Sequence, residues 1–546
     1  MKQGSSFRSA SVWMPLALAV ALVAGIFTGK YFFGAGGEGK SRGKLDEIIS
    51  LIDKNYVDDI NTDSLLEASL PKLMAGLDPH SVYIPAADLQ EVNEELEGSF
   101  SGVGISFNLI GDTINVVEII SGGPAEKVGM LPGDRIVTID DSIVAGKGWS
   151  DVKVRSTLRG PKDTKVNLGI RRSSSPDLLH FTVTRGDIPV TSIDAAYPIA
   201  PGIGYIKVNK FGASTYSEFL TSLMELIEDD ASDAFIIDLR SNGGGYMEVA
   251  EMMVNEFLGQ GMPIVSMKGK NTPDRGPTRA DGRGTFKEAD VVVLLDEFSA
   301  SSSEIFAGAI QDNDRGLIVG RRSFGKGLVQ NQLPLKDGSA LRLTIARYYT
   351  PSGRCIQKTY APGVDYDRDL LTRFERGEQY SRDSIKLNTE NIFHTLSGRT
   401  VYGGGGIMPD IFVASDTADI SSDYLRALNA GLLQKFAFKY VDAHRAELEK
   451  AEDVSQLLDM LPSEWTLAAE FQTFARANGV AITKAYNVNK YRQRLVNSLK
   501  ALIARDVFGV EGYYVVDNLT DPTVQAAIRA ISDGKASAPV TETILE

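Results

Sequence analysis

The chain has 546 residues, 43% hydrophobic and 23% charged, the composition of a folded protein of about three or four domains rather than of a disordered one. Its net charge of −14 leaves no excess of Lys and Arg to neutralise phosphates, which argues against nucleic acid as the main partner. The single cysteine, Cys355, rules out an intramolecular disulfide and a zinc site built on several thiolates, and reads as a small packed side chain.

From Ser9 to Gly29 no residue is charged, and Val12 to Phe27 is almost wholly apolar. Lys2 and Arg8 precede this stretch, and Trp13 and Tyr31 suit its two interfaces. About 20 apolar residues span a bilayer, with flanking positive charge on the cytoplasmic side. The expectation is an exported chain held by a single-pass anchor. A cleaved signal peptide is the competing reading, although its apolar region is usually shorter. Residues 1–43 are therefore assigned to anchor and glycine-rich linker.

Residues 44–98 read as a helical segment, with Leu45, Ile48, Ile49, Ile52 and Tyr56, then Leu66, Leu70, Leu73 and Leu77, at helical spacing. The turn Leu77-Asp78-Pro79-His80-Ser81 closes it, and His80 beside a proline reads as a turn residue. From 99 to 187 the pattern changes to short strands, Val103–Phe107, Thr113–Ile120 and Arg135–Ile139, with Pro132-Gly133-Asp134 as a turn. The run from Gly123-Pro124-Ala125 through Pro132-Gly133-Asp134 to Ile139-Asp140 resembles the core of a PDZ domain. Gly102-Val103-Gly104-Ile105 resembles its carboxylate-binding loop, in which backbone N–H groups cradle a peptide's terminal carboxylate.

Residues 188–415 alternate strands and helices, an α/β core. Strand Ala234–Leu239 runs into Arg240-Ser241-Asn242-Gly243-Gly244-Gly245, and strand Val291–Leu295 runs into Phe298-Ser299-Ala300-Ser301-Ser302-Ser303-Glu304. After strand Leu317–Gly320 comes Ser323-Phe324-Gly325-Lys326-Gly327. Residues 416–546 are mainly helical, with Tyr424, Leu428, Leu432, Phe436 and Tyr440 in one stripe and Gly509 as a stop signal.

The four histidines, His80, His180, His394 and His444, sit in unrelated contexts, so a Ser-His-Asp triad has little support. A serine can instead be activated by a neutral lysine. Taken alone, the serine cluster reads as the cap of the helix beginning near Glu304. The glycine-bracketed Lys326, a possible base, and the Asn-Gly-Gly-Gly loop after another strand would both meet the serines at one edge of such a sheet.

The blocks Leu239–Gly245, Phe298–Glu304 and Ser323–Gln330 are similar to the three signature blocks of the carboxyl-terminal processing peptidases, or tail-specific proteases. Ser101-Gly102-Val103-Gly104-Ile105, Tyr349-Thr350-Pro351-Ser352-Gly353-Arg354 and Gly405-Gly406-Ile407-Met408-Pro409-Asp410 extend the resemblance over roughly residues 45–412. It implies an α+β multidomain fold, a PDZ domain on an α/β (crotonase/ClpP-like) peptidase core with helical segments at both ends. It implies a serine–lysine dyad with the lysine 25 positions after the serine, which selects Ser301 and Lys326. Gln330 matches the glutamine that orients the lysine, the amides of Gly244 and Ser302 match the oxyanion donors, and Gly102, Val103, Gly104 and Ile105 match the peptide-binding loop. Ser302 stands where the family often has alanine.

For Lys326 to act as a base its pKa must fall from about 10.4 toward 7, some 4 kcal/mol of disfavoured charge, which burial without a partner carboxylate can supply. Phe324 and Leu328 are candidates for the apolar wall. No metal or organic cofactor is needed. The expected partners are protein and peptide substrates bound by their C-termini, the membrane through the anchor, and a homo-oligomer or adaptor protein. The expected location is the inner membrane facing the periplasm. Two rival readings are a catalytically silent PDZ scaffold that recruits envelope proteins and a small-molecule or acyl-transfer fold of the crotonase type.

Overall fold

A computed structural model of the chain describes residues 40–271, 276–361, 364–415, 421–482 and 489–536. The apolar stretch 9–29 lies outside them, and among the described residues no helix is long and apolar enough to cross a membrane. The chain divides into two units after Leu77. The first holds helices Lys40–Asn55 and Thr62–Ala75. Asn61 caps the second helix by accepting from Ser64 N at 3.0 Å. Leu45, Ile48, Tyr56 and Leu73, part of its helical stripe, stay exposed.

The second unit opens with strand Val82–Ile84, where a helix was expected; three residues are too few to show a period. This strand pairs with Ala340–Tyr349, in a sheet that also holds Leu328–Pro334, Pro263–Lys268 and Thr278–Arg279. Strand Ser99–Gly102 pairs antiparallel with Gly186–Pro189, so a two-stranded ribbon joins the entry and exit of the segment between them.

That segment is an antiparallel sheet in the order Ile105–Ile110, Thr113–Ile119, Arg135–Ile139, Lys165–Arg171, Leu179–Thr184, with Ser142–Ile143 beside Arg135–Ile139. Val116, Ile136, Val154, Val166, Ile170 and Val183 are fully buried at its centre. Helix Asp151–Leu158, capped by Ser150, packs Val154 and Leu158 into the same core. Strand Ile105–Ile110 is left at the sheet's edge, with one face of its backbone unpaired within the sheet.

The central sheet runs Ile193–Ala200, Ile203–Val208, Ala234–Asp238, Asp290–Leu295, Leu317–Gly320, Ile411–Phe412. Its first pair is antiparallel and the rest are parallel. Alternate residues of one strand enter different cores. Phe235, Ile237, Val291 and Val293 pack with Phe306 and Phe257 on one face. Ile236, Val292, Leu294 and Val319 pack on the other with Val524, Ala527 and Ala530 of helix Pro522–Ser532. Burial on both faces is why these strands read as continuous apolar runs. The last helix therefore returns to this sheet instead of staying with the helical segment that starts at 421.

The helices Ser422–Asn429, Leu432–Leu448, Glu464–Ala477 and Asn489–Asp517 share a core that includes Leu433, Phe436, Phe471 and Leu499. Gly431, at φ 64°, breaks the expected single stripe into two helices. Gly509, expected as a stop, has φ 75° and ψ −167° and divides the stretch Asn489–Asp517 into two helices that meet at a kink. This bundle grips the PDZ-like sheet: Arg135 and Asp442 pair at 2.6 Å, the Arg445 guanidinium lies over Gly133, and Gly509 lies against Glu118. Asp442→Ala is expected to speed amide exchange in strand Arg135–Ile139 by about fivefold, the equivalent of about 1 kcal/mol for a half-buried pair, and to leave exchange in Asp290–Leu295 unchanged.

Candidate active site

Three neighbouring parallel strands end at one edge of the central sheet. Ala234–Asp238 delivers the glycine loop, Asp290–Leu295 the serine cluster, and Leu317–Gly320 the loop with Lys326. The carboxyl edge of such a sheet is where loops converge on ligands. The loops are stitched to one another: Ala300 N donates to Asn242 O and Phe324 N to Ser299 O, each at 3.0 Å.

The hydroxyls of three serines in the cluster are used in this stitching. Ser299 Oγ donates to Leu239 O at 2.8 Å, Ser302 Oγ to Gly245 O at 2.9 Å and Ser303 Oγ to Asn242 O at 2.9 Å. Capping thus does not describe what these three do; they dock the start of helix Ser302–Asp312 onto the glycine loop. Ser301 differs. It is half-buried at the helix entrance with φ 57° and ψ −114°, a conformation that costs a non-glycine residue of order 1–3 kcal/mol and that proteins hold at functional turns.

Glu304 ties the serine to the lysine. Its side chain is fully buried, and its carboxylate accepts from Ser301 N at 2.9 Å, Lys326 N at 2.8 Å, Gly325 N at 2.7 Å and the Ser323 hydroxyl. The Ser301-x-x-Glu304 spacing is that of a capping box, so the sequence carries a signal for the first of these bonds and none for the other three. Burial pushes the Glu304 carboxyl up to about 7, against the hydrogen bonds that favour its charge. Tyr348, also buried, adds a second bridge: its hydroxyl lies 2.6 Å from Lys326 O and 3.1 Å from Ser301 O. Strand alternation marks Tyr348 as inward-facing and nothing more.

The Lys326 side chain is partly buried, and among the described residues its amine has no hydrogen-bond or ion-pair partner. Burial, and then the Arg342 cation, hold its pKa below the ordinary lysine value; Glu304 and Asp78 pull the other way and do not win. Leu328 is buried beside this loop. Phe324 instead presents its ring to the Lys358 ammonium, 3.8 Å from the centroid. His80 lies near enough to feel the Lys326 charge. Burial first and that charge second push it down to about 4, and its Nε2 meets Tyr366 Oη at 2.8 Å.

The other expected site residues fall as follows. The Ser302 N–H, at the first helical position, has no partner within the helix. The Gly244 N–H does have one: it donates to Asn242 Oδ1 at 2.8 Å, the turn that an Asn two residues upstream favours. In this conformation Gly244 is thus not an open oxyanion donor, although it touches the serine; a Cβ on it, at φ 102°, would come 2.7 Å from Ser301 Cβ. Gln330 directs Nε2 to Thr344 Oγ1 at 3.3 Å. In the PDZ-like domain Gly102 pairs with Gly186, and Val103 O accepts from Ala125 N at 2.8 Å. Gly104 takes φ 82° against Ile188 and Pro124, and Ile105 begins the edge strand. Facing that strand, the Arg155 guanidinium of helix Asp151–Leu158 lies 5.6 Å from the Phe107 ring.

Two further motif blocks brace the helix from its far end. Arg354 is fully buried and pairs with Asp312 at 2.7 Å, and Asp410 takes Arg399 at 2.7 Å while accepting from Ile318 N. Cys355 is half-buried and burial pushes its thiol up, away from the reactive thiolate. Glu304→Gln should be the most damaging isosteric change here. Its NH₂ must face at least one backbone N–H, which costs about 1–3 kcal/mol of stability and, by letting the two loops separate, about 100-fold in turnover. Thermal melting and peptide cleavage by the same preparation check both.

Sequence comparison now supplies the family. Profiles of peptidase family S41, of the PDZ domain and of a family of unknown function match residues 202–370, 116–172 and 424–509. A carboxy-terminal-processing protease of Bartonella bacilliformis is 32% identical over 363 residues, 66% of this chain and 81% of the relative. The carboxy-terminal processing protease CtpB of Bacillus subtilis is 32% identical over 362 residues, 65% and 74%. A solved photosystem II D1 C-terminal processing protease aligns with 58% of this chain and 91% of its own at 28% identity. Its TM-score of 0.33 is too low to carry the assignment. On its sequence relatives, the chain belongs to peptidase family S41, the carboxy-terminal processing proteases, and is a serine-type peptidase with a PDZ domain.

Proposed function

We propose that this protein cleaves protein tails with Ser301 as nucleophile and neutral Lys326 as general base, on the outer side of a membrane to which residues 9–29 anchor it. The observation that carries the dyad is the Glu304 carboxylate, which holds the N–H groups of Ser301 and Lys326 on one oxygen. The unpaired, partly buried amine and its lowered pKa supply the base. Lys326 takes the Ser301 proton as Oγ bonds to the scissile carbonyl carbon. The carbonyl electrons move to an oxyanion met by the Ser302 N–H at the helix start. The lysine ammonium then protonates the departing amine, and water, deprotonated by the same lysine, releases the acyl group from the serine.

A second amide for the oxyanion is within reach, because Gly244 lies against Ser301. Recruiting it requires its N–H to turn away from Asn242 Oδ1 as substrate enters. Tail capture belongs to the PDZ domain: the edge strand Ile105–Ile110 can accept a peptide as an added strand, with the terminal carboxylate at Gly102–Gly104. The net charge is no obstacle, since the ligand pairs with backbone N–H groups. Export and anchoring rest on the apolar run and the positive charges before it.

Cleavage of an unstructured polypeptide with a free apolar carboxyl end tests the reading. Ser301→Ala and Lys326→Ala should each lose at least about 1,000-fold in turnover, as members of one catalytic unit do. Activity should rise with pH along a limb whose midpoint lies below the ordinary lysine value of about 10.4, because only the neutral amine accepts the proton. Full activity in either variant would remove the dyad. Equal cleavage of a C-terminally amidated substrate would remove tail recognition.

A further inference from the structure

The turn Asp78-Pro79-His80-Ser81, which the sequence marks and the reaction does not use, reaches the catalytic loops through one strand. Asp78 Oδ1 accepts from His80 N at 2.8 Å, Ser81 N at 2.9 Å and Thr344 Oγ1 at 3.0 Å, and Oδ2 accepts from the Ser81 hydroxyl. Ser81 Oγ in turn accepts from Thr344 N at 3.0 Å. Thr344 lies directly opposite Gln330 in the antiparallel pair of Leu328–Pro334 with Ala340–Tyr349, at a bulge that skips Ile345. Gln330 Nε2 lies 3.3 Å from Thr344 Oγ1.

The direction of each bond follows from proton count. These four donors hold the Asp78 carboxyl below its usual range despite its burial, so at neutral pH it is ionised and can only accept. The Thr344 hydroxyl has one proton, and Asp78 receives it. Toward Gln330 the hydroxyl can therefore only accept, so the group facing it must be the amide NH₂. The carbonyl oxygen Oε1 is left on the opposite side of the amide. We propose that Asp78 and Thr344 are positioning residues that fix the flip of the Gln330 amide, so that Oε1 is the end available to accept an N–H from the Lys326 amine and aim its lone pair at Ser301. This rests on the reading of Lys326 as the base. Asp78 is close enough to Lys326 for its charge to act on the amine, which places the relay beside the group it serves.

The test uses the full-length protein, cleavage of an unstructured polypeptide with a free apolar carboxyl end, and kcat and KM measured separately. Thr344→Val keeps the side-chain shape on a strand that favours β-branched residues but removes the acceptor. It should lower kcat by about 10- to 100-fold, the scale of a misaligned catalytic group, with KM within about twofold. Thr344→Ser should restore kcat to within about threefold of wild type. In a Gln330→Ala background Thr344→Val should have no further effect, because both act on one element. Asp78→Ala, the second variant should Thr344→Val not fold, frees the hydroxyl to donate and lets the amide turn; it too should lower kcat and add nothing to Gln330→Ala. Wild-type kcat in Thr344→Val, or in Asp78→Ala should that replace it, would overturn the proposal. So would full additivity with Gln330→Ala, or a Thr344→Ser enzyme as slow as Thr344→Val. Should Lys326→Ala remain active in the same assay, the dyad fails instead, which separates the two outcomes.

Discussion

A buried carboxylate with four hydrogen-bond donors around it organises this site. Glu304 sits one turn into the helix that Ser301 opens, and both of its oxygens are consumed by the N–H of Ser301 and by the loop that carries Lys326. A buried charge is expensive unless its lone pairs are filled, and here filling them requires two loops from different strands to meet. Burial raises the Glu304 carboxyl to about 7, so the bonds do not fully offset desolvation. Tyr348 closes the same pair of loops through their carbonyls. The loops of Ser301 and Lys326 are thus juxtaposed by backbone hydrogen bonds to two buried side chains.

The electrostatics of Lys326 set a balance rather than a vacuum. Two carboxylates favour its charge, and burial with the Arg342 cation opposes it more strongly. A lysine with no nearby carboxylate at all is therefore not what the site uses. What matters is that neither carboxylate pairs directly with the amine: Glu304 is saturated by backbone and hydroxyl donors, and Asp78 by the turn it caps and by Thr344. Saturated acceptors can lie close to a lysine without trapping it as an ammonium.

Legibility in the sequence followed burial and locality. Strands Ala234–Asp238, Asp290–Leu295 and Leu317–Gly320 were readable because both faces are buried, which leaves unbroken apolar runs ending in loop signals. Ser301 and Lys326 were singled out by their spacing within a resemblance, not by local chemistry, since four serines compete at the same junction. Tyr348, Thr344 and Asp78 were not readable: each is joined to the site by pairing between strands or turns distant in the chain, and no local pattern encodes a partner. The bond from the Gly244 amide to Asn242 Oδ1 is local, yet nothing in the Asn-Gly-Gly-Gly run says whether that turn closes or leaves the N–H open. Gly509 carries the signal of a helix end and one helix does end there; that a second follows at once, with the kink lying against Glu118 of the PDZ-like sheet, is set by packing. Propensity could not foresee that packing.

The C-terminal bundle links the other parts of the larger unit. It contacts the PDZ-like sheet through Asp442 and Arg445, and its chain then returns to the central sheet, where Asp521 pairs with Arg240 at 2.7 Å at the start of the glycine loop. The PDZ-like sheet and the sheet edge that carries Ser301 and Lys326 are held in one framework by side chains outside both. The central claim, that Ser301 is activated by an uncharged Lys326, is tested most directly by labelling. A serine-reactive probe is applied across a pH series and the modified peptide located by mass spectrometry. The account expects modification at Ser301, rising with pH to a midpoint below the ordinary lysine value of about 10.4, and lost when Lys326 is replaced by Met. Label on Ser299, Ser302 or Ser303, or equal labelling of Ser301 without Lys326, would contradict it.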